Sequence, residues 1–402
     1  MKQRLKEKRM KLPENSFSLL NSMFSIGLSV AGLVSIRKML KEVNETTLQF
    51  EDYRPSENDP FISVIIPARN EETVIEKCLK AVLAQNYPNF EVIVVDDDSN
   101  DQTPRILKKL ATQYSQKLKI VLGTMPLNGW TGKTNALWQG YTHINKTSKW
   151  VLFLDADTLM QPGTLGGAVK FAQSNKLSML SLAPGMISQN FWTKLLMPEV
   201  FKFYTIVAGT PGAKPGSVEE ASAIGTFILA QGEAYEATGG HGAVKSQVVE
   251  DIELARLFRS KGYTTRQIAT PQYLSNHWYD NLTELWEGVS KNMFLVAHKD
   301  WSKILAVVGI EYLYGILPTW TLIRRLRNPK PKFNLSLALN LIAVVLQLGL
   351  HSEVNRNLQV PRSYIVFYPL AALITSLITF NSAIKTELRK SVEWKGRTIE
   401  TH

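Results

Sequence analysis

The chain has 402 residues, and its 46 lysine and arginine residues outnumber its 35 aspartate and glutamate residues to give a net charge of +11. Hydrophobic residues make up 45% of the chain and charged residues 20%, which excludes a disordered or collagen-like protein. The single cysteine, Cys78, excludes an intrachain disulfide framework and a metal site built from several cysteines. The positive charge suits a phosphate-bearing ligand or an anionic membrane surface.

The N-terminal region, residues 1–58, is basic and then apolar. Residues 1–15 carry six lysine or arginine residues against two glutamates, and residues 17–36 carry no charge. The uncharged segment is just long enough to cross a bilayer as a helix. A cleaved signal peptide is an alternative, but no clear small-residue cleavage site follows the segment. We therefore expect a retained membrane anchor or an interfacial helix.

Short apolar runs alternate with amphipathic stretches between residues 59 and 268. The apolar runs cover 63–66, 91–95, 119–123 and 150–155, and the amphipathic stretches cover 72–84, 103–114 and 133–145. This alternation predicts an α/β fold with a mostly parallel central sheet and helices on both faces. Such sheets bind ligands at the carboxyl ends of their strands, so functional residues are expected there. We expect this domain to occupy residues 59–300.

The last third of the chain is apolar again. Segment 303–323 contains Glu311 and Pro318, which favour a helix lying in the membrane interface. Segments 334–350 and 364–384 are stronger candidates for membrane-spanning helices because neither contains a charged residue.

Basic residues flank the last two apolar segments. The linker 324–332 has five lysine or arginine residues and no acid, the tail 385–402 is also basic, and the loop 351–363 is nearly neutral. The positive-inside rule places both basic segments in the cytoplasm, with a helical hairpin between them. The basic N terminus fits this arrangement less well, so whether 17–36 crosses the membrane stays open. We expect interfacial or transmembrane helices over 301–384, followed by a cytoplasmic tail.

Polar clusters follow the first two predicted strands. In SVIIPARNEE (63–72), Pro67 is expected to end the strand, and Asn70 and Glu71 follow in the loop. An ordinary strand exit that caps the next helix is the alternative. In VVDDDSNDQT, three adjacent aspartates at 96–98 lie at the tip of a buried strand. Like charges this close raise one another's pKa values unless a ligand, a cation or amide groups offset them.

The next clear strand and a later helix carry further carboxylates. WVLFLDADT ends an apolar strand in Asp155 and Asp157, and alternate carboxylates at a strand end can share one divalent cation. An isolated Asp-x-Asp is common by chance, but its place after a buried strand strengthens this interpretation. Glu250 and Asp251 begin an amphipathic helix. An acid there can complement the helix dipole, or it can remove a proton from an incoming hydroxyl.

Two nucleotide-binding motifs are excluded. GWTGKT (129–134) is similar to the end of a phosphate-binding P-loop, but that motif requires glycine where this chain has Leu127. Lys133 of the same stretch can still neutralise a phosphate as a point charge. No G-x-G-x-x-G sequence follows a predicted strand, which disfavours a dinucleotide-dependent dehydrogenase.

In chain order, the stretches SVIIPARNEE, VVDDDSNDQT, GWTGKTNAL, FLDADT and VVEDIELA resemble the family 2 glycosyltransferases, which have the GT-A nucleotide-sugar-binding fold. The resemblance covers about residues 60–300. The full layout is similar to a membrane-attached branch related to the hopanoid-associated, carotenoid and ceramide glycosyltransferases, in which a W-x-x-x-x-K-N stretch follows the acidic helix start. Here that stretch runs from Trp286 to Asn292, and a tail like EWKGR occupies 393–397.

The resemblance implies a role for each matched residue. The residues implied to hold the nucleotide sugar are Pro67, Asn70, Glu71, Asp97, Lys133 and Asp155. Asp155 and Asp157 are implied to bind Mg²⁺ or Mn²⁺, with Asp157 the more direct ligand, and Asp251 is implied as the catalytic base. Three candidates near the acceptor are His241, Glu250 and Trp286. For His241 and Trp286, packing is an equal alternative.

The resemblance implies an inverting transfer of one sugar from a nucleotide diphospho-sugar to an acceptor hydroxyl. Membrane segments flank the domain, so a lipid acceptor of carotenoid, hopanoid, sphingoid or glycerolipid type is expected. Cytosolic nucleotide sugars place the domain on the cytoplasmic face of an integral membrane protein. The Q-x-x-R-W sequence of processive polysaccharide synthases, the nearest alternative, is absent. A non-catalytic membrane scaffold is the second alternative. Nucleic-acid binding is disfavoured because the basic residues lie beside apolar segments.

Overall fold

A seven-stranded sheet forms the centre of the computed structural model, which describes residues 14–126, 128–187, 190–208, 217–328, 333–389, 391–394 and 397–400. In order across the sheet, the strands are β3 (Leu118–Leu122), β2 (Phe90–Asp96), β1 (Ile62–Ala68), β4 (Trp150–Leu154), β8 (Phe227–Gln231), β6 (Met179–Ala183) and β9 (Thr265–Ala269). Strand β8 runs antiparallel to both of its neighbours, and the other adjacent pairs are parallel. The prediction of a mostly parallel central sheet is confirmed.

Helices cover both faces of this sheet. One face carries α2 (Ile75–Leu83), α3 (Thr103–Gln113) and α5 (Thr164–Ser174), and the other carries α4 (Gly132–Thr142), α7 (Gly232–Thr238), α8 (Gly240–Ala243) and α9 (Glu250–Ser260). Successive strand side chains enter opposite cores, so Ile66 packs in the first and Ile65 in the second. Burial on both faces explains why the strand sequences are continuously apolar rather than alternating.

A second sheet of three short strands lies beside the carboxyl end of β4. Its strands are β5 (Thr158–Met160), β10 (Leu274–His277) and β7 (Gly185–Ile187), with β10 in the middle. The turn that carries Asp155 and Asp157 connects β4 directly to β5. The backbone N–H of His277 donates to the backbone oxygen of Asp157 at 3.4 Å. The two sheets therefore hold this acidic turn from both ends.

The expectation that Pro67 ends the first strand is wrong. Strand β1 continues through Pro67 to Ala68, which pairs with Asp96 of β2, whereas the pairing of β1 with β4 ends at Ile65. Proline lacks an N–H, and strands tolerate it where one side has no partner that needs this donor. The polar loop after β1 therefore begins at Arg69.

The remaining helices form a largely apolar region outside the two sheets. They are α1 (Glu14–Glu51), α6 (Phe191–Ala208), α10 (Leu282–Val296), α11 (Trp301–Ile310), α12 (Leu317–Leu326), α13 (Leu335–Asn357) and α14 (Tyr368–Arg389). A π-helical segment, Glu311–Ile316, joins α11 to α12, and a 3₁₀ segment, Arg362–Phe367, precedes α14. A hairpin of β11 (Ser391–Trp394) and β12 (Arg397–Glu400) follows α14.

Four helical stretches are long and apolar enough to cross a membrane: Ser16–Glu51, Trp301–Leu326, Leu335–Asn357 and Arg362–Leu388. Large apolar side chains on these stretches are exposed, such as Val34 at 61% and Leu335 at 68%. Because soluble proteins rarely expose extensive apolar surface, these helices indicate membrane association. Parts of the predicted basic segments lie outside the described residues, namely 1–13, 329–332, 390, 395–396 and 401–402.

The structure removes both reasons for expecting segment 303–323 to lie in the interface. Glu311 is 2% exposed, and its carboxylate pairs with the Lys202 ammonium of α6 at 3.0 Å, so its charge faces protein rather than lipid. Pro318 does not end the helix, because α12 continues directly from the π-helical segment and runs through Pro318 to Leu326. The segment is therefore compatible with a membrane span.

Helix α1 is 38 residues long, about twice the length of the predicted apolar segment, and its end reaches the α/β domain. Phe50 and the nearby Tyr53 are buried in the same core as the strands and α5. Glycines of α5 create the space for both rings: a Cβ on Gly166 would overlap the Tyr53 ring, and one on Gly167 would lie 2.7 Å from Phe50 Cγ. Helix α1 therefore joins the membrane-associated region to the α/β domain through a packed contact.

We expect Phe50→Ala to lower the free energy of unfolding by about 3–5 kcal/mol, the range for losing a buried phenylalanine side chain. Denaturant unfolding of the detergent-solubilised protein measures this change. Val34→Ala on the same helix is the control, because its exposed side chain predicts a change within about 0.5 kcal/mol. Equal effects of the two substitutions would contradict the packing of α1 against the domain.

Candidate active site

One lysine ammonium joins three elements at the carboxyl edge of the central sheet. Lys133, in the first turn of α4, places its Nζ 2.8 Å from Asp155 Oδ1 and 2.9 Å from Glu250 Oε1. Asp155 directly follows β4, and Glu250 begins α9. Glu250 is only 5% exposed, and partial exclusion of water strengthens both ion pairs. The lysine predicted to lie beside the donor therefore meets the acidic turn and the start of the base helix.

The start of α4 is fixed by a threonine cap. The Thr131 side chain accepts a hydrogen bond from Thr134 N at 3.2 Å. The backbone oxygen of Lys245 accepts from Thr131 N at 2.9 Å and from Thr134 Oγ1 at 2.6 Å. Because Lys133 lies between these two threonines, the cap determines where its side chain leaves the backbone.

Two backbone N–H groups hold the carboxylate of Asp251. Gly225 N donates to Oδ2 at 2.9 Å, and Ile252 N donates to Oδ1 at 2.8 Å. Gly225 lies two residues before β8, the antiparallel strand that follows β4 in the sheet order. The reversed direction of β8 brings its amino end, and so the Gly225 N–H, to the edge where the parallel strands end. The base candidate is therefore oriented by the sheet as well as by its own helix.

The pKa values at this point suit acid–base chemistry near neutral pH. Burial raises the pKa of Asp251 to about 6, and the charge of Glu250 adds to this effect, while Lys133 and the two N–H groups oppose it. Burial lowers the pKa of Lys133, but the carboxylates of Asp155, Glu250 and Asp251 outweigh this and hold that pKa well above its usual value. At pH 7 Lys133 is therefore protonated and Asp251 is ionised.

The charges of three predicted site carboxylates act on the buried thiol of Cys78. Its Sγ lies 3.8 Å from the backbone oxygen of Asp155. Burial raises the pKa of this thiol, and the charges of Asp157, Glu71 and Asp155 raise it further. The thiol therefore stays protonated. Glu71, from the loop after β1, consequently lies in the same neighbourhood as the acidic turn after β4.

Hydrogen bonds join the loops that follow β1 and β2. Asn70 N donates to Ser99 Oγ at 3.0 Å, and Asn100 N donates to Asn70 Oδ1 at 2.8 Å. Asp97, which is 5% exposed, donates through its backbone N to the oxygen of Ala68 at 2.8 Å. The residues implied to hold the nucleoside therefore lie on adjoining loops at one edge of the sheet.

Amide and arginine groups offset part of the charge on the three adjacent aspartates. Asp96 Oδ1 accepts from Ser99 N at 3.2 Å, and Asp98 pairs with Arg69 Nη1 at 3.6 Å. Arg69 Nη1 also donates to the backbone oxygen of Asp97 at 2.5 Å. These contacts reduce the repulsion expected from the sequence.

The acidic turn offers donors that suit a hard divalent cation. Asp155 and Asp157 supply carboxylate oxygens, the ligand type that Mg²⁺ and Mn²⁺ prefer. Among the described residues, no three or more His, Cys, Asp or Glu side chains form a group that could hold a metal ion alone. The turn therefore fits a cation whose other ligands are phosphate oxygens and water.

The three candidates placed near the acceptor have different surroundings. His241 is 1% exposed, its Nδ1 lies 2.8 Å from the Tyr235 hydroxyl, and its ring packs edge-on against Phe153. Burial lowers the pKa of His241 to about 3, with a smaller effect from the charge of Lys133. Trp286 packs against the core of the membrane-associated helices. Packing therefore accounts for His241 and Trp286, whereas Glu250 holds Lys133.

Sequence reasoning missed three residues beside the base. Gly225 binds Asp251 directly, as described above. Burial raises the pKa of Tyr204 on α6, and the charges of Tyr279 and Asp251 contribute. Burial lowers the pKa of Lys291 on α10 to about 8, against an opposing effect of Glu250. The lysine of the W-x-x-x-x-K-N stretch was the available signal for Lys291, but no sequence pattern places Tyr204 near the base.

One cavity of the described residues lies away from this chemistry. It has a volume of about 450 Å³ and lies at the other edge of the sheet, where β4 begins and β8 ends. Its lining includes Lys149, Trp150 and Gln231. None of the predicted site residues lines it. The site is therefore defined by its charged side chains rather than by the size of a pocket.

Residues 63–237, which contain Lys133, Asp155 and Gly225, match the family model for glycosyl transferase family 2. The chain contains a family 2 glycosyltransferase domain. The predicted enzyme class is confirmed, and the alternative of a non-catalytic scaffold is wrong.

One sequence relative and one solved structure extend this comparison along the chain. The 4,4'-diaponeurosporenoate glycosyltransferase of Staphylococcus aureus is 25% identical over 344 residues, which are 85% of this chain and 88% of the relative. A mannosyltransferase of Pyrobaculum calidifontis, solved in complex with GDP-Man and Mn²⁺, has a TM-score of 0.51 at 20% identity. That alignment covers 92% of this chain and 99% of the mannosyltransferase. The predicted GT-A fold is confirmed.

Proposed function

We propose that this glycosyltransferase moves one sugar from a nucleotide diphospho-sugar to a membrane lipid, with inversion at the anomeric carbon. The observation that carries the proposal is the meeting of Lys133, Asp155, Glu250 and Asp251 at the carboxyl edge of the sheet. This network contains the Lys133 ammonium, which would face the donor phosphates. It also contains the oriented Asp251 carboxylate, which would face the acceptor. Direct displacement of the nucleotide by the acceptor oxygen requires both of these groups in one site. It requires no nucleophile from the enzyme.

The donor is proposed to lie over the ends of β1, β2 and β4. Asn70, Glu71 and Asp97, with Pro67 in β1, would line the nucleoside end, since their loops adjoin. Lys133 would face the diphosphate, where a protonated lysine neutralises phosphate charge. The mannosyltransferase of similar fold was solved with GDP-Man, a nucleotide diphospho-sugar. The base and sugar of the donor are left open in this proposal.

Asp157, assisted by Asp155, is proposed to hold Mg²⁺ or Mn²⁺ together with the donor diphosphate. When bound, such a cation supplies Lewis acidity that stabilises negative charge on the departing phosphate. The carboxylate oxygens of Asp155 and Asp157 suit such a cation and support this proposal. The Mn²⁺ in the mannosyltransferase of similar fold supports it as well. Lys133 would contribute its own positive charge beside the same phosphates.

Asp251 is proposed to take the proton from the acceptor hydroxyl as that oxygen attacks the sugar. Two N–H groups fix its carboxylate, and its pKa of about 6 makes it an ionised base near neutral pH.

A membrane lipid is the acceptor class that the helices favour. Four candidate spans adjoin the domain, and α6 and α10 contribute both to the apolar core and to the residues around Asp251. The Staphylococcus aureus relative is named for a carotenoid acid, 4,4'-diaponeurosporenoate. This name favours a second candidate, transfer to a lipid carboxylate, in which the acceptor is already ionised and needs no base.

The catalytic domain is proposed to face the cytoplasm. The arginines at the end of α12 do not support this side, because Arg325 Nη2 donates to Ser18 Oγ at 3.3 Å near the start of α1, whereas the other end of α1 packs against the α/β domain. The proposal rests on the donor instead, because nucleotide sugars are found in the cytoplasm.

Lipid mass spectrometry tests the proposed function. Cells that express the chain are expected to contain a lipid heavier by one sugar than a lipid of cells that lack it. Cells that express Asp251→Asn and Asp157→Ala forms serve as controls for turnover. A product ladder of several sugars would instead support a polysaccharide synthase.

We expect Asp251→Asn to lower kcat by about 10²–10⁴-fold with little change in donor affinity, because it removes only the base. In the unsubstituted enzyme, activity is expected to fall as the pH drops through about 6, since protonation of Asp251 removes the base. The residual activity of the Asn variant should lack that decline. Asp52→Asn, which changes an exposed aspartate, is the control. Near-normal turnover of Asp251→Asn would favour the carboxylate acceptor.

We expect Asp157→Ala to abolish the divalent-metal dependence of donor binding. Titration of UDP and GDP, with Mn²⁺ or with excess chelator, measures this dependence by calorimetry. The unsubstituted protein should bind one of the nucleotides more tightly with Mn²⁺, whereas the variant should bind equally weakly in both conditions. Equal binding by the unsubstituted protein with and without chelator would refute the metal assignment.

A further inference from the structure

Gly225 lies beside Lys133, Asp155 and Asp251, three charged residues of the site. It precedes β8 and gives its N–H to Asp251 Oδ2 at 2.9 Å. A Cβ built on Gly225 would lie 2.7 Å from Lys133 Nζ, 3.3 Å from Asp155 Oδ2 and 3.7 Å from Asp251 Oδ2. The three nearest contacts of this Cβ are therefore all charged side-chain atoms.

The close approach, rather than the backbone conformation, requires glycine at this position. Gly225 does not have a positive φ, so its backbone is accessible to other residues. The closest atom to the added Cβ is the end of a flexible lysine, which can move at little cost to the fold. Alanine at 225 would therefore fold, but it would push the Lys133 ammonium from its place between Asp155 and Glu250.

We infer that Gly225 is a positioning residue for the transfer reaction, which acts by leaving the space that the Lys133 ammonium occupies beside Asp155 and the base. This inference rests on the proposed function, because it assigns Lys133 to the donor phosphates. Gly225 then affects the groups for both substrates. The space beside its Cα admits the Lys133 ammonium, which is assigned to the donor, and its N–H orients Asp251, the base for the acceptor. A side chain there separates the two groups without removing either.

The steric part of the inference predicts that Gly225 acts through Lys133. Displacement of a charged hydrogen-bonding group is expected to lower kcat/KM for the donor by about 10- to 100-fold in Gly225→Ala. In a Lys133→Ala background the displaced ammonium is absent, so the same Gly225→Ala change should cost less than about threefold. Such non-additivity is the mark of two residues that act at one contact.

A double-mutant cycle tests this coupling in the full-length protein. Donor KM, kcat and the affinity for UDP and GDP are measured for the unsubstituted protein, Gly225→Ala, Lys133→Ala and the double variant. Affinity for the nucleotide keeps the cycle measurable where Lys133→Ala turns over too slowly. Loss of activity and affinity in Gly225→Ala that disappears in the Lys133→Ala background supports the inference. Equal losses in both backgrounds, or no loss, overturn it.

Gly242→Ala is the matched control within the same domain. A Cβ on Gly242 would make only an ordinary contact with Trp138, at 3.6 Å, so its kinetics should match those of the unsubstituted protein. Thermal unfolding of each variant checks that Gly225→Ala folds, as the flexible end of Lys133 predicts. Failure of the unsubstituted protein to transfer sugar to any lipid would contradict the proposed function instead. Nucleotide binding that is coupled between positions 225 and 133 would still support the steric inference.

Discussion

The ion pairs of Lys133 are the interaction on which the site depends. Its ammonium connects α4, the turn after β4 and the start of α9, three elements that are distant in sequence. Without Lys133, the buried Glu250 and the nearby Asp155 and Asp251 would leave three like charges together in a poorly hydrated place. Lys133 therefore stabilises this acidic cluster, and it is also the group proposed to neutralise the donor phosphates.

The antiparallel strand β8 has a specific consequence for this network. Parallel strands bring only their carboxyl ends to the ligand edge, so their amide groups at that edge are few. A reversed strand brings an amino end there, and Gly225 uses it to orient Asp251. The central sheet of this GT-A fold therefore provides carboxylates from its parallel strands and an N–H donor from its reversed one.

The sequence predicted the sheet and most of the charged residues because both leave local signals. Continuous apolar runs marked β1, β2 and β4, and the polar residues after them marked the ligand edge. Contacts between distant segments left no such signal. The ion pair of Glu250 with Lys133 and the burial of Glu311 against Lys202 depend on tertiary packing, so Glu250 was assigned to the acceptor and Glu311 to the interface. Gly225 shows the same limit, since no local pattern identifies a glycine whose importance lies in the space it leaves.

The pairing of Glu311 with Lys202 bears on how the protein can be handled. Helix α6 interrupts the α/β domain in sequence, yet its apolar face packs with α10, α11 and α14, and His351 of α13 contacts its Glu199 at 3.3 Å. A recombinant fragment that stopped near residue 300 would strip this face of its cover and remove Glu311 from its lysine. We therefore expect truncation near residue 300 to give an aggregation-prone fragment. The intact chain in detergent or lipid is the suitable form for purification.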